Sequence, residues 1–464
     1  MTLFKKIIHH LPEAIAGRTQ EYTSGSIRKA VFMLSVPMVL EMMMESIFFL
    51  VDAYWVSSLG ANAIATVGLT ESVLTLVYAI AIGLSMGVTA IVARRIGEKN
   101  TPAAGRAAVQ SIILGIFVAA LVAVLGVLFP KEILSLMGGE SDLVAEGYGY
   151  TQILLGGNAT IMLLFIINAV FRGAGDASVA MKVLIVSNLL NIILDPLFIF
   201  GWGPVPAYGV KGAAIATTIG RGTAVILQLL ILFFGWSRIK VGFKEFVFNA
   251  TIMWNLVKVS LGGIGQFIIG TSSWVFLMRI MAEFGSEVLA GYTIAIRVLM
   301  FTLMPSWGMS NAAATLVGQN LGAGKPERAE SSVWKTGKYN AWFMVAVSLF
   351  YLFFAEWILK IFSVEPEVIE SGALSLRVIA AGYVFYAYGM VIIQSFNGAG
   401  DTRTPTIINF FCFWIFQLPF AYLAAITFEL EVLGVLLAIT FAEILIAIIA
   451  ILLFKKGAWK RVQV

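Results

Sequence analysis

The chain has 464 residues, of which 59% are hydrophobic and only 12% are charged. A soluble protein of this length needs more polar residues to cover its surface, so the composition excludes a soluble globular class. The formal net charge of +5 does not indicate nucleic-acid binding, because the basic residues lie in the segments that connect long apolar runs.

At the amino terminus, residues 1–30 are polar and basic, and the first long apolar run begins near Val31. This order does not match a cleavable signal peptide, and the segment KKIIHHLPEAI is predicted to form a short surface helix. The single cysteine, Cys412, lies inside an apolar segment, so no disulfide bond is expected within the chain.

Apolar segments recur along the chain, and at about 20 residues or more each is long enough to cross a bilayer as a helix. They are too long for membrane β-strands and lack the alternation of such strands. The predicted fold class is therefore an all-α polytopic membrane protein with twelve transmembrane helices. The predicted spans are 31–56, 64–93, 103–128, 144–171, 179–200, 210–235, 250–283, 290–316, 333–354, 368–396, 405–428 and 433–454.

Basic residues are distributed unevenly between the two ends of these spans. Most of the 31 Lys and Arg residues fall at one set of ends. The exceptions are Lys131, Lys211 and Lys360 in the opposite loops and Arg221, Arg279, Arg297 and Arg377 within spans. Positive charge is retained in the cytoplasm, so both termini are predicted to be cytoplasmic.

The sequence contains an internal repeat, because FRGAGD at 171–176 reappears as FNGAGD at 396–401, a shift of 225 residues. Each repeat holds six spans, which predicts two six-helix bundles that start on the same side and enclose a central cleft. The glycines of this motif are interpreted as helix ends, because no phosphate-loop sequence is present. The predicted divisions are a cytoplasmic segment at 1–30, an N-lobe at 31–235, a cytoplasmic linker at 236–249, a C-lobe at 250–454 and a cytoplasmic tail at 455–464.

Ionisable residues inside the spans differ between the two halves. A carboxylate at the bilayer centre costs about 2.5–3.5 kcal/mol, so it normally has a function or a partner. The first half carries Glu41, Glu45, Asp52, Glu71 and Asp195, whereas the second half carries mainly Glu443 and three arginines. A cation is therefore expected to bind in the first half, and Glu443 with Arg377 is interpreted as either a structural pair or a substrate contact.

Two of these acids are predicted to meet. Asp52 and Asp195 lie at similar depths near the outer ends of the first and fifth helices, and Asn191 shares a helix face with Asp195. Two carboxylates in one apolar site cannot both stay charged unless a cation lies between them, so the site is expected to bind H⁺ or Na⁺. Asn191, a nearby hydroxyl and a backbone carbonyl freed by Pro196 are expected to complete the oxygen shell.

Each of these residues also has a structural interpretation. Asp195 can cap a broken helix or pair with an arginine. Glu41 and Glu45 lie closer to the cytoplasmic end and can simply face water in the cleft, and Glu71 lies near the outer end of its helix. Pro37 is either a passive kink or a hinge that couples ion binding to motion of the first helix.

Together these motifs resemble the multidrug and toxic compound extrusion (MATE) family over nearly the whole chain. The matching segments are Pro37 with Asp52, AYWVSSLG, FRGAGD, NIILDPLFIFG, VKGAAIAT at 210–217 and ATLVGQNLGAGKPERA at 314–329. The resemblance implies two six-helix lobes around a V-shaped cleft, and efflux of organic cations and drugs driven by inward flow of Na⁺ or H⁺. No other cofactor is implied.

The resemblance also implies roles for individual residues. It assigns ion coupling to Asp52, Asn191 and Asp195, with Thr217 as the hydroxyl ligand, and places Tyr150 and Asn168 in the substrate cavity. Glu41, Glu45 and Glu71 are expected to add negative charge to that cavity. The sequence departs from the branch of the family that has carboxylates in the second lobe, because Gly270 is the repeat equivalent of Glu45.

Other functions remain as alternatives. A flippase or carrier of lipid-linked, anionic or zwitterionic substrates is the main one, and Arg297 and Arg377 leave room for such cargo. A membrane enzyme is a remote one, because both histidines precede the first span and no catalytic motif lies in a helix. We expect a monomer in a prokaryotic plasma (inner) membrane, surrounded by lipid and without nucleic-acid partners.

Overall fold

The computed structural model describes residues 3–17 and 21–464. Within these residues the fold is helical, and strand-like pairing is limited to one isolated bridge between Trp202 and Val205. The helices are α1 (Leu3–Ala16), α2 (Ile27–Ser57), α3 (Ala61–Gly97), α4 (Thr101–Leu128), α5 (Pro130–Leu136), α6 (Ser141–Gly156), α7 (Ala159–Ala174), α8 (Ala177–Phe200), α9 (Val210–Phe234), α10 (Ala250–Ala282), α11 (Ser286–Gly322), α12 (Pro326–Leu359), α13 (Pro366–Ala381), α14 (Tyr383–Ala399), α15 (Arg403–Asn409), α16 (Leu418–Tyr422) and α17 (Glu431–Lys455). Short 3₁₀ segments occur at Phe243–Glu245 and Ala458–Arg461, and π-helical segments at Phe410–Gln417 and Leu423–Thr427.

The membrane-spanning elements match the predicted fold class. Eleven helical segments of the described chain are long and apolar enough to cross a bilayer, and the pair α13 and α14, bent by 58°, supplies a twelfth. On α4 a continuous apolar stripe stays exposed, formed by Phe117, Leu121, Val124, Leu125 and Leu128. Such a stripe is suited to lipid and not to water, so the predicted all-α membrane fold is confirmed.

The GAGD motifs end helices, as the glycine pattern indicates. Gly175 follows α7 with φ of 86°, and Gly400 follows α14 with φ of 90°. In both motifs the next residue donates its backbone N–H across the helix end, from Asp176 to Phe171 at 2.8 Å and from Asp401 to the equivalent carbonyl at 3.0 Å. These are the bonds of a helix C-terminal cap, which requires a left-handed glycine.

The repeat is also visible where helices are interrupted. Gly157 separates α6 from α7, and Gly382, which is related to it by the same shift of 225 residues, separates α13 from α14. The fourth and tenth spans are therefore each built from two helices. The sequence patterns predicted continuous helices at 144–171 and 368–396, and they missed both interruptions because the flanking residues remain apolar.

The chain divides into two compact units. Unit 1 comprises Leu40–Ser260 together with α1, and unit 2 comprises Leu261–Val464 together with Glu21–Val39. The division falls inside α2, shortly after Pro37, so that one continuous helix contributes to both units. The predicted lobe boundaries remain predictions.

Unit 1 is packed through small side chains. The buried half of α3 is rich in alanine and glycine, which allows α7 to approach it closely. A Cβ atom on Gly173 would lie 3.0 Å from the carbonyl oxygen of Thr89, so this contact needs glycine. Unit 2 uses larger buried groups, with one cluster around Tyr292 and Tyr383 and another around Trp459.

Candidate functional site

Unit 1 contains a cavity of about 250 Å³. Five helices form its wall, namely α2, α3, α6, α7 and α9. The lining residues are Phe48, Phe49, Asp52, Glu71, Leu74, Thr75, Tyr78, Tyr150, Leu154, Ile161, Thr217 and Arg221. Aromatic and apolar groups make up much of the wall, and a few ionisable groups converge on it, which is the usual composition of a small-molecule site.

The two acids that the sequence analysis paired are placed near one another. Asp52 precedes Ser57, the last residue of α2, by five positions, and Asp195 precedes Phe200, the last residue of α8, by the same number. Asp52 lines the cavity, whereas Asp195 is fully buried. The two carboxyl groups lie close enough for their charges to interact.

Asn191 connects Asp195 to the cavity wall. Its side-chain amide donates to Asp195 Oδ1 at 3.2 Å and to Thr217 Oγ1 at 3.4 Å, and Thr217 lines the cavity. Two buried oxygens of this cluster, Asn191 Oδ1 and Asp195 Oδ2, accept no hydrogen bond from any described residue. Buried oxygens without donors are costly, so the cluster suits a proton or a small cation as its remaining partner.

The structural interpretations of Asp195 do not hold. The helix α8 continues through Pro196 to Phe200, so Asp195 does not cap a broken helix. Its carboxylate also forms no ion pair with any basic side chain of residues 3–17 and 21–464. The predicted role of Pro196 in freeing a backbone carbonyl stays a prediction.

Two further predicted residues, Glu71 and Tyr150, line the same cavity. Tyr150 is buried, and its phenol interacts electrostatically with Asp52, Glu71 and Asp195. Glu71 interacts in turn with Asp52. The polar residues assigned to ion coupling and part of those assigned to the substrate cavity therefore form one connected group within unit 1.

Three predicted cavity residues, Glu41, Glu45 and Asn168, are not part of the cavity wall. Glu41 is buried and accepts hydrogen bonds from Arg172 at 3.2 Å and from Asn168 at 3.1 Å. Gln228 donates to Asn168 at 2.6 Å. This network neutralises the charge of Glu41 inside the protein, so the expectation that Glu41 faces water in a cleft is not what the structure shows.

Arg221 is a cavity residue that sequence reasoning did not select. It is buried on α9, donates to the Tyr78 hydroxyl at 2.9 Å and lies 3.6 Å from Glu45. Its guanidinium also stacks over Phe48, 4.9 Å from the ring centroid. The available signal was that Arg221 is the one basic residue within the spans of a half that carries five acids.

The arginines of unit 2 do not pair with Glu443. Arg377 donates to Glu356 at 3.0 Å, which corrects the interpretation that Arg377 and Glu443 form a structural pair. Arg279 and Arg297 are exposed. Glu443 therefore lacks the counter-ion that the sequence analysis considered for it.

Outside the membrane-spanning helices, Asp176 joins the motif after α7 to the linker between the halves. Its Oδ2 accepts the backbone N–H of Arg238 at 2.6 Å, and its Oδ1 lies 3.7 Å from the guanidinium of that residue. Burial raises the pKa of Asp176, and the bonds from Arg238 act in the opposite direction. The contact ties the linker to unit 1.

Comparison with known proteins identifies two matching regions in the chain. The sequence model of the MatE family matches residues 37–197 and again 264–423, which together cover more than half of the chain. The two matches correspond to the two copies of the internal repeat.

The similar proteins are transporters. A probable multidrug resistance protein NorM of Thermotoga maritima is 29% identical, and the alignment covers 94% of each chain. An FAD transporter of Shewanella oneidensis is 25% identical over 92% of this chain and 94% of that protein. A solved outward-facing structure of a multidrug resistance MATE transporter has a TM-score of 0.89 at 27% identity, over 96% of this chain and 100% of that one.

Proposed function

The chain belongs to the MatE family of membrane transporters, and from this premise we propose that it exports organic cations and drugs in exchange for H⁺ or Na⁺. Membership of a transporter family confirms that the chain is not an enzyme. The observation that carries the ion-exchange part is the buried cluster of Asp52, Asp195, Asn191 and Thr217, in which two oxygens lack donors.

The cluster supports binding of one small positive charge. A proton or Na⁺ supplies the charge that lets Asp52 and Asp195 remain close in a buried site. Asn191 holds Asp195 through its amide and keeps its own carbonyl oxygen available. Among the described residues no group of three or more His, Cys, Asp or Glu side chains forms a metal site, which favours a monovalent ion over a divalent one.

Substrate binding is assigned to the cavity beside this cluster. Phe48, Tyr78 and Tyr150 offer aromatic surfaces for a planar or greasy cation, and Asp52 with Glu71 offers negative charge. Because Asp52 belongs to both the cavity and the ion cluster, the ion and the substrate compete for the same carboxylate. Competition of this kind produces exchange when the site is opened to the two sides of the membrane in turn.

The proposed setting is a plasma (inner) membrane with both termini in the cytoplasm. The uneven distribution of Lys and Arg supports this orientation. The similar proteins named above include two from bacteria, which supports a prokaryotic membrane. We further propose that the transporter acts as a monomer, because the ion cluster and the cavity both lie within one unit of one chain.

Efflux from proteoliposomes tests this function. Ethidium efflux is followed with a Na⁺ gradient and a pH gradient imposed separately, for the wild type, Asp52→Asn and Asp195→Asn. Glu132→Gln, which changes an exposed acid on α5, is the matched control. We expect one gradient to drive efflux in the wild type and the control, and neither to do so in the two site variants. Wild-type efflux in both site variants would refute the proposal.

The second candidate function is transport of anionic or zwitterionic compounds, and Arg221 in the cavity wall favours it. One relative is named as an FAD transporter, which carries an anionic molecule. Inhibition of ethidium binding by an excess of FAD or of a zwitterionic aromatic compound distinguishes the candidates. Competition that Arg221→Met abolishes would support the second candidate, and its absence would support cations alone.

A further inference from the structure

Glu443 lies in the middle of a membrane helix and faces the interior of unit 2. It is twelve residues from each end of α17, which spans Glu431–Lys455. The exposed stripe of that helix is formed by Phe441, Ile448 and Leu452, and at 100° per residue Glu443 lies on the opposite side. Its position next to buried Leu436 and Ala447 places a carboxyl group inside the bundle instead of against lipid.

No counter-charge compensates this carboxyl group. Arg377 is paired with Glu356, and no ion pair or hydrogen bond joins Glu443 to any other side chain that the structure describes. The titratable groups that interact with it are Tyr386 from α14 and Cys412 from the π-helical segment Phe410–Gln417. No charged side chain of α13, α15 or α16 interacts with it, although these helices also pack against α17.

The surroundings of Glu443 are irregular backbone. Tyr386 follows the 58° bend between α13 and α14 by only a few residues, and Cys412 lies in a π-helical stretch. Bent helices and π-helical turns inside membrane proteins are costly and occur most often at functional sites. An uncompensated acid between two such features is therefore better explained by ligand binding than by packing.

The internal repeat gives an independent argument. The glycine at the start of α9 packs against the end of α8, and Gly434 makes the equivalent contact in unit 2: a Cβ atom on Gly212 would lie 2.3 Å from Phe198, and one on Gly434 would lie 2.5 Å from Ala425. The hydroxyls of Thr218 and Thr440, six residues after these glycines, donate to the equivalent carbonyls of Ala214 and Leu436.

This alignment places Glu443 at the position that Arg221 occupies in unit 1, where Arg221 lines the cavity. Tyr386, its neighbour, is likewise the repeat equivalent of Ile161, which also lines that cavity. Unit 2 thus carries a charge of opposite sign at a ligand-facing position of the repeat.

We propose that the Glu443 carboxyl is a cation-binding site of unit 2, which holds a proton without substrate and exchanges it for the positive group of an organic cation. The proton leaves to solvent when the cation binds, so the net charge of the site does not change. This assignment deepens the proposed cation export and rests on it for its ligand class. It adds a carboxylate that the resemblance does not place, since the equivalents of Glu45 and Asp52 in unit 2 are Gly270 and Leu277.

Equilibrium binding of ethidium to the detergent-solubilised full chain tests the proposal. The charge of ethidium does not change between pH 6 and pH 8, so a change in affinity over this range reports on the protein. For Glu443→Gln we expect binding about tenfold weaker at pH 8 and a reduced pH dependence, because the neutral amide neither attracts the cation nor releases a proton. In weakly buffered solution, the variant should also release about one proton fewer per bound ethidium.

Glu356→Gln is the matched control, because it removes an exposed acid from the same unit. Glu443→Gln with wild-type affinity, pH dependence and proton release would overturn the proposal. If Glu443→Gln is not recovered as monodisperse protein, Glu443→Asp decides, since retained proton release supports the site and its loss contradicts it. These measurements need no ion gradient, so failure of the Asp52 and Asp195 variants to alter efflux would refute the exchange mechanism without touching this result.

Discussion

At the scale of single residues, unit 1 handles its buried acids in two ways. Glu41 and Glu45 are each matched by an arginine, Arg172 and Arg221 respectively. Asp52 and Asp195 have no such partner and are stabilised only by amide and hydroxyl groups nearby. The acids with fixed counter-ions stabilise the fold, and the two without them are available to a mobile ion.

The buried pair of Glu41 and Arg172 gives the first prediction. Arg172→Met should lower the free energy of unfolding by about 3–5 kcal/mol, because it leaves a buried carboxylate unpaired. The double variant Glu41→Gln with Arg172→Met should recover most of that loss. Thermal unfolding in detergent measures both, and equal melting temperatures for the single variant and the wild type would contradict this account.

The contact of Asp176 with the linker gives a second prediction. Asp176→Ala removes the acceptor of the Arg238 backbone N–H and should cost about 1–3 kcal/mol of stability, because that donor is left without a partner. Asp142→Ala, an exposed acid on α6, is the control and should change stability little. Limited proteolysis within 236–249 should accelerate in the first variant only, and an unchanged rate would argue against the tie.

At the scale of elements, the helices that carry the site are held by close contacts with little space for side chains. A Cβ atom on Gly212 would lie 2.3 Å from the carbonyl oxygen of Phe198, three residues after Asp195. Such contacts set the spacing of α8 and α9, and hence the distance between Asn191 and Thr217. The element that joins the two units, α2, remains one continuous helix through Pro37.

Substitution of glycine tests the spacing of α8 and α9. Gly212→Ala should destabilise the protein by about 1–3 kcal/mol, because the added methyl group collides with backbone that has no space to move. Gly68→Ala should instead be neutral or stabilising, because open space surrounds that position in α3. Thermal unfolding compares the two, and equal effects would show that the close contact is not required.

Pro37 tests the hinge in α2. Pro37→Ala restores a backbone donor to the helix and should slow efflux roughly tenfold while ethidium binding stays unchanged, if bending near Pro37 limits the rate. Pro326→Ala is the control, because Pro326 occupies the first turn of α12, where it does not interrupt hydrogen bonding. Transport at the wild-type rate in Pro37→Ala would remove the hinge from the mechanism.

At the scale of the whole molecule, the sequence patterns predicted more than they usually do for a site. Length and hydropathy identified the membrane helices, and the repeat identified two equivalent halves, which the paired MatE matches confirm. Asp52 and Asp195 were selected because an acid in an apolar helix is conspicuous. The pairings of Glu41, Glu45, Arg221 and Arg377 were not predicted, because which charges meet depends on helix rotation and packing that one sequence does not encode locally.

The central claim is that one small cation at Asp52 and Asp195 is exchanged for the substrate. The most direct measurement imposes an ethidium gradient on proteoliposomes and records movement of H⁺ and of Na⁺ in the opposite direction. We expect ethidium to drive one of these ions across the membrane with the wild type and neither of them with Asp195→Asn. Ethidium movement without ion movement in the wild type, or undiminished ion movement in the variant, would contradict the account.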